Sequence, residues 1–555
     1  MRTATLLLVL CLCFMKSRAQ QQTVGLFTHT KASQDGYVLF APLYSKKTYL
    51  IDKCGLQVHS WNASYTPANS VYLLQDGSLL HTGNANNPVF PNGGYVEKLD
   101  WNSNVTWSYL FPGGQQSQHH DVCALPNGNV LALVWEIKSR NEAIQEGRDT
   151  ALFSATVWTE KVVELEPAGA NNARIVWEWS VWDHLVQDRD AAAKNYGSIT
   201  DHPELVNVNY NLAPPKSPDW LHTNGIAYNA ALDQIMISVY WMNELWIIDH
   251  STTTAEAAAH LGGKYGKGGD LLYRWGNPQA YGRGTAADQK LFRLHNAHWI
   301  PAGVPDAGKI LVFNNGQQRP DSDYSSVDVI APPVDAAGNY MLNGAAAYGP
   351  QSFSWEYKAP VETEFFAPIL SGAQRLENGN TLICEASKGN FIEVDPAGAI
   401  VWKYINPVDA SSGPVAQGAV PDQNLVFRSV QYPASYPGFT GRTLIPGAPV
   451  EQNPLANYDC YPGTPLQAAN IQPANRTFSA TNPFSDNIGL GCSGAEAHVQ
   501  ASLIDCMGAV CGSWELAISG GRPASIQIPY PQSAGMYFLR IIENGKQTVL
   551  KLRHN

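Results

Sequence analysis

RLENGNTLICEASKGNFIEVDPAGAIVWKY (375–404) holds, back to back, two phrases that recur along the chain. The first, RLENGNTLICEA (375–386), has Asn-Gly at a tip and an apolar run after it. Both residues of that dipeptide tolerate positive φ, which makes it a strong hairpin signal. It returns as LLQDGSLLHTG (73–83), ALPNGNVLALV (124–134) and PDAGKILVFNNG (305–316), with ALDQIMISV (231–239) as a variant lacking Gly. The second, IEVDPAGAIVWKY (392–404), is a strand, a polar turn and a strand ending in Trp. Six copies end at Trp61, Trp107, Trp177, Trp275, Trp355 and Trp402, unevenly spaced by insertions. Each unit supplies about four short strands, and a lone four-stranded sheet cannot bury both its faces. Set radially, neighbouring sheets cover one another. The expected fold class is therefore all-β, a six-bladed β-propeller within residues 20–448, with the Trp side chains packed between blades. The GH…WD signature of WD40 units is missing.

Composition narrows the function classes. Of 555 residues 44% are apolar and 15% charged, which excludes global disorder. Forty-seven acids against 36 bases give a net charge of −11, against the basic surface a nucleic-acid binder carries. Residues 1–19 read as a secretory signal: Arg2, the apolar run ATLLLVLCLCFM (4–15), then Ser17-Arg18-Ala19. Its removal takes the charge from −11 to −14, through loss of Arg2, Lys16 and Arg18. No other stretch is long and apolar enough to span a bilayer, so no transmembrane segment is expected. Export permits disulfides, and Cys460, Cys492, Cys506 and Cys511, crowded near the C-terminus, are the cysteines expected to bridge. No CxxC pair or HExxH occurs, so neither a metal nor a cofactor is expected.

Residues 449–475, rich in Pro, Ala, Gly, Asn and Gln, read as a linker. Residues 476–555 alternate with period two and read as a small β-sandwich. This module resembles the sorting domain of the Bacteroidetes type IX secretion system, through NPFSDNI (482–488), SAGMYFLRI (533–541) and KQTVLKLRHN (546–555). The resemblance implies a Gram-negative source, the type IX machinery as a partner, passage through the periplasm, and a secreted or cell-surface destination. A glycan-binding or adhesive sandwich is the other reading.

Chemistry is expected where propeller loops gather polar side chains at the channel mouth. Of 14 histidines, most share no context. Three sites do. His119-His120-Asp121 precedes the ALPNGN hairpin, DWLHTN (219–224) precedes ALDQIMISV, and HNAHW (295–299) precedes PDAGKILVF. These are comparable places in three successive units, so His120, His222 and His295 are expected to converge on one pocket. His119, adjacent on a strand, is expected to point the other way.

HHDVCALPNGNVLAL, DWLHTNGIAYNAALDQIMIS, LLYRWGNPQAYGRG, LHNAHWIPAG, LVFNNGQQRP and SGAQRLENGNTLICEA, in that order, resemble the bacterial arylsulfotransferase family. That resemblance implies a six-bladed propeller that moves a sulfuryl group from a phenolic sulfate ester to a phenolic acceptor, by a ping-pong route through a sulfohistidine and without a nucleotide sulfate donor. It implies His295 as nucleophile, with His298 the alternative, His222 as acid/base and His120 as donor to a sulfuryl oxygen. Asn224 joins the substrate-binding set. The family often carries Arg where Tyr240 stands here, and Tyr lacks the charged fork of Arg. Arg375 and Arg319 are the candidates to replace that charge. A non-catalytic surface propeller for adhesion or glycan binding is the competing reading. A quinone dehydrogenase would need eight units and a calcium-binding acidic set, and neither is found.

Overall fold

The computed structural model describes residues 22–455, 460 and 478–554, apart from 494–496, 506–509, 519–522, 529–533 and 544–545. The expected signal, Cys506 and most of the expected linker lie outside the described residues. Strands take 45% of the chain and helices 7%, so the chain is nearly all-β. No helix among the described residues is long and apolar enough to cross a membrane. The chain forms two compact units, Met1–Pro462 and Gly463–Asn555.

In the first unit, β1 (Gly25–His29) leads to β2 (Tyr37–Pro42), β3 (Lys47–Asp52) and β4 (Gln57–Asn62). A second group is β5 (Pro67–Leu73), β6 (Leu79–Asn84), β7 (Gly94–Leu99) and β8 (Val105–Leu110). A third is β9 (Gln116–Ala124), β10 (Val130–Ser139), β11 (Thr156–Pro167) and β12 (Ala173–Ser180). An insertion with the short parallel pair β13 (Leu185–Val186) and β14 (Val206–Asn207) follows. Then come β15 (Thr223–Asn229), β16 (Gln234–Val239), β17 (Glu244–Asp249) and β18 (Tyr273–Trp275). The next group is β19 (Leu294–Trp299), β20 (Ile310–Asn314), β21 (Ser326–Ile330) and β22 (Trp355–Tyr357). The last is β23 (Gly372–Arg375), β24 (Thr381–Glu385), β25 (Asn390–Val394) and β26 (Ile400–Ile405). The short pair β27 (Val408–Asp409) and β28 (Gly413–Pro414) precedes β29 (Val426–Tyr432).

Pairing follows chain order within each group, giving antiparallel four-stranded meanders. Two of them fuse into one curled eight-stranded sheet through a single parallel bridge, Asn69 to His120. Sequence order breaks only at the ends. The late strand β29 pairs with β2 and heads the first meander, while β1 adds a fifth strand beside β26. The heading strands β29, β5, β9, β15, β19 and β23 touch in turn, and β23 meets β29, so they close a ring. Second strands such as β16 (QIMISV), β20 (ILVFN) and β24 (TLICE) are buried at every position. Both their faces are covered by neighbouring sheets, which explains their unbroken apolar runs.

The recurring Trp residues stitch the ring. Trp107 donates its indole N–H to Asn172 O, Trp177 to Thr252 Oγ1 and Trp275 to Pro350 O. Trp355 donates to Pro396 O and Trp402 to Lys53 O. Every acceptor lies between the third and fourth strands of the next meander, and Trp402 closes the cycle onto the first. Trp61 meets Trp101 of the next meander edge-on, ring centroids 5.1 Å apart.

The expected disulfides need correction. Cys460 bridges not to a C-terminal neighbour but to Cys54 in the β3–β4 turn, with Cα atoms 4.7 Å apart. Crowding along the sequence did not reveal that the returning chain passes this turn. Cys492 instead directs its thiol at Ile518 O, 3.6 Å away.

In the second unit, β30 (Phe478–Ala480), β31 (Asn487–Cys492), β32 (Ala497–Asp505), β33 (Val510–Ile518), β34 (Ala524–Gln527), β35 (Gly535–Glu543) and β36 (Lys546–His554) form a three-stranded and a four-stranded sheet. The two share one apolar cluster that includes Ile488, Leu490, Leu503, Leu539 and Ile541.

Candidate active site

The ring strands carry a recurring irregularity that aims side chains inward. His120, His222 and Asn296 have φ of 51°, 51° and 54°. Positive φ is uncommon for residues with a Cβ. Register shifts fall at His120 in β9 and at Asn296 in β19, while in β15 the shift lies between Thr223 and Gly225, just after His222. A bulge of this kind re-aims the side chain beside it. His120 and His222 share the positive φ, whereas in β19 it falls on Asn296, and His295 stands one residue earlier.

They nevertheless meet. The His120 and His222 rings lie 4.6 Å apart, centroid to centroid. Tyr240 lies 5.4 Å from His222 and 5.5 Å from His295. Phe427 completes the circle, 6.4 Å from His120 and 6.5 Å from His295. His119 does not point away as strand alternation predicted, because the positive φ at His120 interrupts the alternation. Its ring stacks on Trp135, centroids 4.0 Å apart, and its Nδ1 lies 2.8 Å from Nδ1 of His120.

Each of the three imidazoles is tied back through Nδ1, and among the described residues none bonds to its Nε2. His120 is held by His119, His222 by Asp219 Oδ2 at 2.5 Å, and His295 by Asn315 Oδ1 at 2.7 Å. The Asn315 amide has a fixed orientation, since Nδ2 donates to Ala367 O (2.7 Å) and Leu370 O (3.0 Å). Its Oδ1 therefore accepts Nδ1–H of His295, and the neutral ring keeps a bare lone pair on Nε2.

Charge separates the three. Burial drives His295 down to about 3, the Asn315 hydrogen bond only partly opposing it, while the charges of His222 and Arg428 lower it further. Burial also holds His120 well below the usual range, helped by the charges of His222, His119 and His295. His222 goes the other way. Burial lowers it, but the charge and hydrogen bond of Asp219, with the charge of Glu160, outweigh burial and leave it raised. The His222 side chain is 29% exposed, against 3% for His295 overall.

The other expected residues divide. Tyr240 is buried in the cluster, its hydroxyl 3.1 Å from Gln317 Oε1 and 3.3 Å from Pro368 O. Asn224 is fully buried, donates to Leu294 O at 2.8 Å, and leaves its Oδ1 without a partner. His298 is tied through Nδ1 to Asn296 O at 2.9 Å and lowered to about 4, chiefly by burial. Arg375 and Arg319 do not join the cluster. Arg375 braces its own hairpin through Gly379 O and Thr381 Oγ1. Arg319 braces a loop through Tyr324 O and Ser326 Oγ.

The arginines beside the cluster are two that sequence reasoning missed. Arg428 on β29 donates to Asp121 Oδ2 (2.7 Å), Tyr72 Oη (2.6 Å) and Asn224 O (3.2 Å). Arg293 lies over the rings of Tyr240 and Trp241, at 5.5 and 4.4 Å. Glu160, also missed, places Oε2 2.8 Å from His119 Nε2. Away from the cluster, His184, His260 and Asp270 bring three possible metal-ligand atoms within 4.8 Å of one another.

Among solved structures, a protein of unknown function from Bacteroides caccae is 11% identical with a TM-score of 0.38, over 72% of this chain and 99% of that one. A streptogramin B lyase is 12% identical with a TM-score of 0.34, over 71% and 86% respectively. No curated protein matches the chain. Residues 26–416 match the sequence model of the Arylsulfotransferase (ASST) family, and the chain belongs to that family.

Proposed function

We propose that the chain moves a sulfuryl group between phenols in two displacements, with His295 as the carrier. The observation that carries this reading is the neutral His295 ring, whose Nδ1 is committed to Asn315 and whose Nε2 is bare. In the first step Nε2 attacks sulfur, an N–S bond forms, and the S–O bond to the aryl group breaks with release of phenolate. In the second an acceptor oxygen attacks the same sulfur and the N–S bond breaks. Neither step calls for a metal.

The charge pattern favours reversing the division of labour expected for the other two histidines. His222, held as a cation by Asp219, suits the anionic sulfuryl oxygens, where charge concentrates in the transition state. His120, kept neutral, suits proton exchange with the phenol oxygens. We read the closed ring of meanders as a six-bladed propeller, and residues 476–555 as a type IX sorting sandwich that sends the protein to the cell surface or beyond.

Incubation with p-nitrophenyl sulfate and phenol tests the reaction. Acceptor-dependent release of p-nitrophenol, a sulfated peptide spanning Leu294 to Trp299, and loss of both in His295→Ala are expected. Failure to release p-nitrophenol with any phenol pair leaves only the non-catalytic surface propeller. Deletion of residues 476–555 is expected to trap the protein in the periplasm.

A further inference from the structure

Behind His120 stands a buried chain of groups that the transfer chemistry leaves unused. Glu160 Oε2 lies 2.8 Å from His119 Nε2, and His119 Nδ1 lies 2.8 Å from His120 Nδ1. All three residues are buried, while Nε2 of His120 remains for the pocket. Two acceptors cannot bond each other, so each link carries one proton and the tautomers along the chain are coupled.

With Glu160 ionised, His119 donates from Nε2 to the carboxylate and accepts from His120 Nδ1–H at its own Nδ1. Nε2 of His120 is then a bare base. With Glu160 protonated, every link reverses: the carboxyl O–H donates to His119 Nε2, His119 Nδ1–H donates to His120 Nδ1, and Nε2–H of His120 is a donor.

Resting on the two-step transfer above, we propose that Glu160, His119 and His120 form a proton wire that stores the acceptor's proton and returns it to the next leaving phenol. In the donor half-reaction the departing phenolate takes the proton from His120 Nε2. His119 Nδ1–H refills His120 at Nδ1, Glu160 refills His119 at Nε2, and Glu160 becomes a carboxylate. In the acceptor half-reaction the phenol gives its proton to His120 Nε2, the links reverse, and Glu160 is protonated again. One proton enters and one leaves per cycle, which balances the overall exchange of a phenol for a phenol. Both imidazoles stay neutral throughout, so no buried imidazolium has to form.

The surroundings agree with this storage role. Glu160 is faced by His119 from β9, by Trp135 directly opposite on β10, and by the Thr223 N–H (3.0 Å to Oε1) at the start of β15. The charges of Asp219 and His222 reach it from the segment leading into β15. Burial, with Asp219 adding to it, pushes Glu160 well above the usual carboxylate range, the Thr223 N–H and His222 only partly opposing. Burial likewise keeps His119 well below the usual imidazole range. The carboxyl, not either ring, is the place where the proton rests. Glu160 and His119 are positioning residues, and His120 is the group that meets substrate.

Glu160→Gln tests the wire. Thr223 N–H fixes the amide oxygen at Oε1, so the amide NH2 faces His119 and locks His120 as a donor that cannot accept. With p-nitrophenyl sulfate, whose leaving group needs little protonation, E160Q is expected to give a normal burst of p-nitrophenol and normal sulfation of His295. Turnover with phenol, which ionises near pH 10 as a tyrosine does, is expected to fall roughly 100-fold, the usual scale of general-base loss. With pentafluorophenol, already ionised at neutral pH, E160Q is expected to run within about threefold of the wild type, a gap far below that general-base loss. Equal turnover of E160Q and wild type with phenol overturns the wire, and so does equal loss with both acceptors, which marks a merely structural role. Should E160Q not fold, His119→Asn, which cuts the same chain, is judged by the same acceptor comparison. Absence of sulfohistidine in the wild type itself refutes the two-step transfer instead, so the two failures are distinguishable.

Discussion

Asn315 offers the sharpest handle on the nucleophile. Replacing it with Leu removes the acceptor that pins Nδ1–H of His295, and leaves Ala367 O and Leu370 O without the amide donor they now share. A buried hydrogen-bonding group left without its partner costs about 1–3 kcal/mol. Part of that cost falls on the reacting ring, because the tautomer with Nε2–H, useless for attack, becomes accessible. Each 1.36 kcal/mol is tenfold in rate, so the sulfation step is expected to slow, by at most roughly 150-fold. Asn315→Asp perturbs the same contact in the opposite electrostatic sense. A carboxylate in contact favours imidazolium and raises the pKa by about 1–3 units. The wild-type ring sits at about 3 and is neutral throughout the working range, so its attack has no acid limb above about pH 4. The neutral form is the nucleophile, so a raised pKa makes the rate fall as pH drops through the new value, at about pH 4–6. Stopped-flow bursts of p-nitrophenol between pH 4 and pH 8 report the sulfation step directly. A folded N315L with wild-type burst rate, or N315D with a flat profile, refutes the assignment of His295 and Asn315 as nucleophile and orienter.

Asp219→Asn removes the charge that holds His222 protonated. The active form is the cation, so activity falls as pH rises through the raised pKa, and in D219N this alkaline limb of kcat/KM is expected to move down by about 1–3 units; superimposable profiles count against His222 as the sulfuryl-binding cation. Arg428→Met strands Asp121 as a buried charge beside Tyr72, and is expected to destabilise the first unit by about 3–5 kcal/mol in urea titrations. A loss below about 1 kcal/mol shows that the pair is not the anchor between β29 and β9 that its geometry implies.

The meanders were legible because the two phrases encode them locally: Gly-containing tips set hairpins, and a Trp lies in each fourth strand. The ring closure was not, since β29 carries neither phrase. Val426–Tyr432 follows the last repeat, yet it heads the first meander and brings Arg428 to the site. Among site residues, Asp219 and Asn315 were visible inside the DWLHTN and FNNG phrases, although nothing marked them as partners of His222 and His295. Glu160 lies in an ordinary third strand, and only the fold sets it against His119. Arg375 and Arg319 misled because charge was sought in motifs, while the two cations that reach the cluster stand outside them. The inward turn of His120 and His222 rests on a positive φ that neither residue type announces.

The family resemblance implies Arg where Tyr240 stands, and the structure gives a physical reason why Arg would sit badly there. Arg428 is committed to Asp121 and Tyr72. Arg293 is different. Its donors go to neutral acceptors, Leu212 O, Gln318 Oε1 and Asn243 Oδ1, and among the described residues no carboxylate pairs with it. This buried guanidinium lies against the faces of Tyr240 and Trp241, where an aromatic ring stabilises a cation. A positive charge thus reaches the cluster from position 293, one side chain behind Tyr240. Tyr240→Arg would set two guanidinium groups face to face without an acid between them. At about 4 Å and an effective dielectric constant of 20 the repulsion is about 4 kcal/mol, and the cation–π contact is lost as well. Y240R is therefore expected to melt several degrees lower and to gain no activity toward p-nitrophenyl sulfate. The double variant Y240R with Arg293→Gln is expected to recover both stability and turnover. If Y240R alone is more active and equally stable, Arg293 is not the source of the missing charge.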